Sequence, residues 1–180
     1  MIVYTVGHST RSIDELIAIL GEAGVTRIVD VRAFPMSRRH PQFNRDALAV
    51  ALPAAGIDYY HLPALGGRRH ANKGARSRND LWTVDAFRHY ADYAETPAFA
   101  AAIAELETLA RERPTAFMCA EARWWQCHRR LIADYLLTRG WTVVHLLGQG
   151  TSQRGTLTTG AVPQSDGTIA YPPAQPDLLP

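Results

Sequence analysis

Both cysteines of this chain, Cys119 and Cys127, lie within one sixteen-residue stretch, TAFMCAEARWWQCHRR, from Thr115 to Arg130. Glu121, Trp124, His128 and Arg129 fall in the same stretch. A thiol, a carboxylate, an imidazole and a guanidinium are therefore close in sequence. A cysteine beside an acid or base is the composition of a nucleophilic centre. Glu121 and a histidine supply candidates for proton transfer, and an arginine suits a planar anion. Cys119, Glu121, Cys127 and His128, together with His8, are the candidate catalytic residues.

The elements around these residues decide whether they can act together. Thr115 to Cys119 is a short apolar run that suits a buried strand. CHRRLIADYLLTRG has apolar residues at helical spacing, which predicts a helix opening at Cys127 and ending at Gly140. A strand-loop-helix unit places the stretch at the carboxyl end of a strand, where open α/β sheets bind ligands. A helix start adds unpaired N–H groups and a positive dipole end.

Upstream, Ile2 to Val6 reads as a strand ending at Gly7-His8-Ser9. Ser12 and Glu15 have capping-box spacing for a helix running to the Gly21–Gly24 region. Arg27 to Arg32 is a second strand, so the two form a βαβ unit with parallel strands. Residues 33–41 are irregular and proline-broken. Arg45 to Ala55 reads as a helix and Ile57 to Leu62 as a third strand. Residues 66–78 are irregular again, glycine-interrupted and carrying Arg68, Arg69, Lys73, Arg76 and Arg78. Two helices, 84–95 and 98–113, precede the Thr115 strand, and Trp141 to Leu147 closes the series. This order predicts an α/β single domain, a mostly parallel sheet of about five strands with helices on both faces. The α/β domain spans 1–147. Residues 148–180 form a Pro/Gly/Thr-rich extension packed on the domain, with a short hairpin around Ser165-Asp166-Gly167.

His8 and Ser9, Asp30 and Arg32, and Cys119 and Glu121 all follow or end strands. If those strands are parallel, their side chains meet at one edge of the sheet. Ser9, Asp30, Arg32, Ser37, Gly66, Gly67, Trp124 and Arg129 are the candidate substrate-binding residues. Each also has a plain packing reading. Cys119 and Cys127 suit a core, Glu121 and Arg129 suit an ion pair, Asp30 suits a brace for Arg32, and tryptophans bury area.

The 180 residues are 47% hydrophobic and 20% charged, with a formal charge of +2, ordinary for one soluble domain. No apolar run approaches the roughly 20 residues that span a bilayer, and no signal peptide is evident. Two cysteines make no disulfide framework, so a reducing cytoplasmic setting and no membrane partner are expected. Lys73 is the only lysine against many arginines.

The chain resembles the DUF488 family of small bacterial and archaeal proteins. The resemblance rests on Thr5-Val6-Gly7-His8-Ser9, on Asp30-Val31-Arg32 with Pro35 and Ser37, and on Gly56-Ile57-x-Tyr59. It continues through Leu65-Gly66-Gly67 to Cys119-x-Glu121 and Cys127-His128-Arg129, and so covers nearly the whole chain. It implies a compact α/β fold and marks a site at those residues. It assigns no reaction.

Four functions fit this pattern. The first is an enzyme or ligand-binding protein for a phosphate-bearing or anionic substrate, a nucleotide or nucleic acid, at a Cys/Glu/His/Arg site. The arrangement differs from cysteine phosphatases and rhodaneses, because tryptophans stand at 124 and 125 where an arginine would be needed. The second is a non-catalytic nucleic-acid module using the basic loops, including Arg38 and Arg39. The third is a thiol redox pair. The fourth is a metal site from Cys119, Cys127, His128 and His8; adjacent helical residues point about 100° apart, which makes joint ligation by Cys127 and His128 awkward. No cofactor is therefore expected. Dinucleotide, Walker, zincin and esterase motifs are absent.

Overall fold

The computed structural model describes residues 1–70 and 77–173. Lys73 and Arg76 of the basic loop lie outside the described residues. Five parallel strands form the sheet: β1 (Ile2–Gly7), β2 (Arg27–Asp30), β3 (Asp58–His61), β4 (Thr115–Cys119) and β5 (Thr142–Gly148). A sixth, β6 (Thr151–Arg154), pairs antiparallel with β5, so the sheet order is β3-β2-β4-β1-β5-β6. The extension thus begins as an edge strand of the same sheet. Further on, β7 (Val162–Pro163) pairs with β8 (Ile169–Ala170) across a turn containing Gly167 at φ 82°. Tyr171 then buries fully, and its hydroxyl donates to Asp134.

The helices are α1 (Ile13–Glu22), α2 (Arg45–Ala54), α3 (Asp85–Ala94), α4 (Pro97–Glu112) and α5 (Arg129–Thr138). Ser12 and Glu15 form the capping box of α1. Pro97 sits in the first turn of α4, where its missing N–H costs nothing, and Thr96 caps that helix. Every residue of β2 and of β4 is buried, as central strands covered on both faces require.

Side-chain alternation sorts the helices. α1 and α2 pack on one face with Val6, Ile28 and Met118. α3, α4 and α5 pack on the other with Val3, Val29 and Phe117. The connections leaving β1 and β2 therefore run on one face, and the connection leaving β4, which lies between them, runs on the other. That divergence opens a crevice at the carboxyl end of β4. No helix among the described residues is long and apolar enough to cross a membrane.

Candidate functional site

Cys119 is the last residue of β4. It shares parity with Phe117, so its thiol points to the face that carries α5. The chain then loops through Glu121 and makes a single 3₁₀ turn at Trp124–Gln126. That turn ends with the Cys127 N–H donating to the Trp124 carbonyl, and it leaves Cys127 extended at φ −132°, ψ 148°. The sequence pattern put Cys127 inside a helix. The helix instead starts at Arg129, with His128 before it. Because Cys127 precedes the helix, its side chain and that of His128 are freed from the 100° divergence, and both turn towards Cys119.

The result is a tight cluster. One oxygen of Glu121, Oε2, lies 2.9 Å from the Cys119 sulfur and 3.1 Å from the Cys127 sulfur. His128 Nδ1 is 3.9 Å from Cys119 Sγ and 3.6 Å from Cys127 Sγ. His128 Nε2 lies 3.2 Å from the Val31 carbonyl. A carbonyl only accepts, so Nε2 carries the proton and Nδ1 presents its lone pair to the sulfurs. Cys119, Cys127 and His128 offer three ligand atoms within 4.8 Å of one another. The thiols titrate as a pair. Hydrogen bonding to Cys127 and burial push Cys119 up. Burial also opposes ionisation of Cys127, but the adjacent Cys119 and His128 side chains and the Arg129 charge outweigh it and bring Cys127 down.

Glycines let the backbone close on this cluster. A Cβ on Gly7 would lie 1.9 Å from the Glu121 carbonyl oxygen, and one on Gly67 would lie 2.4 Å from His128 Nδ1. Gly66 packs on the Ala33 backbone in the same manner. Arg129 is buried. Its guanidinium donates to Thr5 Oγ1 and to the Glu121 main-chain carbonyl, while the Glu121 carboxylate turns to the sulfurs. Arg129 is thus a brace for the loop, and the ion pair with Glu121 suggested by the sequence is replaced by this backbone contact.

The cluster forms part of the wall of a cleft of about 600 Å³ at the carboxyl edge of the sheet. His8, Ser9, Arg32, Ser37 and Gly67 line it too. Asp30, Gly66, Trp124 and Arg129 do not. Asp30 is fully buried and holds Arg32 through Oδ1 to Nε at 2.8 Å and Oδ2 to Nη2 at 2.6 Å. Trp124 stacks on His145 at 4.1 Å, away from the cleft.

His8 is spent on structure. Its Nδ1 donates to the Ser9 carbonyl, its Nε2 accepts from Arg32, and its ring stacks on Phe43 at 4.2 Å. Burial and then the Arg32 charge lower its pKa to about 4, so it is neutral at pH 7. It lies outside the set of possible metal ligands. Ser9 is held at φ 51°, a backbone region that a non-glycine residue occupies at a cost.

A family model described as a domain of unknown function, DUF488, matches residues 12–136. The chain belongs to the DUF488 family. The match runs from the capping residue of α1 into α5, and so contains Cys119, Glu121, Cys127 and His128, whereas His8 and Ser9 precede it. No curated protein and no solved structure matches the chain. Sequence reasoning gave no role to two residues at or behind this DUF488 cleft. Phe34 stands 70% exposed at its rim, with the Arg68 guanidinium 5.9 Å from the ring centroid. Tyr59 donates to Asp30 Oδ2 and completes the buried pair. An aromatic residue in a proline-broken loop was the signal for Phe34; for Tyr59 the signal was the Gly56-Ile57-x-Tyr59 element of the family resemblance, which named the residue without a role.

Proposed function

We propose that this protein is an enzyme that takes a phosphate-bearing small molecule of the nucleotide class into the cleft and reacts it against the Cys119–Glu121–Cys127–His128 cluster. The observation that carries this reading is the convergence of those four side chains on one wall of a ligand-sized cleft at the carboxyl end of β4. Charge favours an anion. Arg68 and His40 line the cleft beside Arg32, whose charge is paired with Asp30, and Glu121, its single carboxylate among the described residues, is engaged with the thiols. The exposed Phe34 ring offers a platform for a flat base.

Calorimetric titration with nucleoside mono- and diphosphates tests this. Binding should occur, and Arg68→Ala should weaken it about tenfold, the value of one charge-assisted contact. No heat with any nucleotide or sugar phosphate would remove the reading. Arg38 and Arg39 are exposed beside the cleft, which keeps a nucleic-acid module in play. Single-stranded oligonucleotide binding that falls steeply with salt, without nucleotide binding, would move the function there.

A further inference from the structure

We infer that Cys119, Cys127 and His128 bind a soft divalent cation of the zinc class, with Glu121 as an exchangeable fourth donor facing the cleft. The inference rests on the reading of the cleft as the working site and names the cofactor of that site.

The donor set selects the metal. Two thiolates and an imidazole nitrogen suit zinc and its neighbours, and do not suit magnesium or calcium. The spacing fits as well. Zinc–sulfur and zinc–nitrogen bonds of about 2.3 and 2.0–2.1 Å, arranged tetrahedrally, place donor atoms about 3.5–3.8 Å apart. His128 Nδ1 stands 3.6 and 3.9 Å from the two sulfurs. The Val31 carbonyl fixes the imidazole tautomer that leaves Nδ1 unprotonated, the outer contact that metal-bound histidines ordinarily make. Glu121 Oε2 sits closer to the sulfurs than a tetrahedral edge, at 2.9 and 3.1 Å, because the thiols donate hydrogen bonds to it. An entering cation displaces one proton from each thiol, forms two sulfur–metal bonds, and lets the carboxylate relax outward onto the metal.

Three firm protein ligands and one on an exposed loop are the make-up of a working site, in which the fourth position opens to substrate. Cys119, Cys127 and His128 lie on β4 or immediately before α5. Glu121 alone sits on the exposed part of the connecting loop. A phosphate or carbonyl oxygen entering the cleft can replace it, and the metal then supplies Lewis-acid polarisation beside Arg32.

Cobalt(II) titration of the full chain, reduced and stripped with a chelator, tests the site without any assay of activity. One equivalent should bind, with sulfur-to-cobalt charge-transfer absorption, tetrahedral visible bands and release of one proton per thiol. Equimolar zinc should erase the spectrum. Cys127→Ser and His128→Ala should each weaken binding more than about 100-fold. Glu121→Gln lies on the exposed loop and should fold normally; it should keep the charge-transfer bands with affinity lowered about tenfold. No thiolate-to-cobalt absorption, or binding unchanged in both Cys127→Ser and His128→Ala, overturns the inference. Nucleotide binding without a cobalt site removes the metal and leaves the substrate reading standing. A cobalt site without nucleotide binding does the reverse.

Discussion

Asp30 holds Arg32 through both carboxylate oxygens, and Tyr59 donates to the same carboxylate at 2.7 Å. Arg32 then reaches the Phe43 carbonyl and His8 Nε2. A single buried acid therefore fixes the cleft floor, because it orients the arginine that orients the histidine. Asp30→Ala should cost about 3–5 kcal/mol, since it strands a buried guanidinium, and Tyr59→Phe only about 1 kcal/mol. Urea denaturation of the two variants checks the difference. Equal losses would mean that Arg32 finds another partner. Glu121 shows the opposite design. Among the described residues its carboxylate is held by the thiols alone, and its main-chain carbonyl is what Arg129 anchors. The loop position is fixed while the acid can leave.

At the level of elements, the site depends on backbones that approach closely. Gly7 ends β1 beneath the Glu121 peptide. Gly7→Ala should destabilise by about 3 kcal/mol or more, because the new carbon collides with main chain that cannot swing aside. Gly21→Ala in α1 meets no atom within 4 Å. It should raise stability by about 0.5–1 kcal/mol on helix propensity alone. Thermal melts of the pair separate a packing requirement from a general intolerance of substitution. The 3₁₀ turn at Trp124–Gln126 is the second such device. It sets Cys127 in extended backbone and so allows two adjacent residues to address one point.

Across the whole molecule, two neutral histidines make the fold sensitive to acid. His145 is buried under Trp124 with both ring nitrogens unpartnered among the described residues, and burial followed by the Arg129 charge lowers its pKa to about 4. His8 is lowered to the same value. Between that value and the unfolded value of about 6.5, the unfolded chain binds more protons, so stability falls as pH falls through this window. Each histidine should remove about 2 kcal/mol between pH 7.5 and pH 5. Denaturant midpoints at the two pH values check this, and His145→Leu should roughly halve the difference. A pH-independent midpoint in the parent chain would show that neither ring stays neutral.

The alternation of apolar strands with capped helices, from Ile2-to-Val6 through the Ser12 cap to the Thr115 run, determined the α/β class, because local patterning and capping are near-neighbour effects. Parallel strand ends then determined that His8, Arg32 and Cys119 share one edge. β6 was not legible: Thr151 to Arg154 is exposed and carries no apolar alternation, so only pairing with β5 makes it a strand. The cluster itself was decided by tertiary structure. Helical periodicity assigned Cys127 to a helix and set it at odds with His128, whereas the turn at Trp124–Gln126, the Gly7 and Gly67 contacts and the Val31 carbonyl bring both onto Cys119. Those contacts join residues up to about a hundred positions apart, and no spacing along the chain records them.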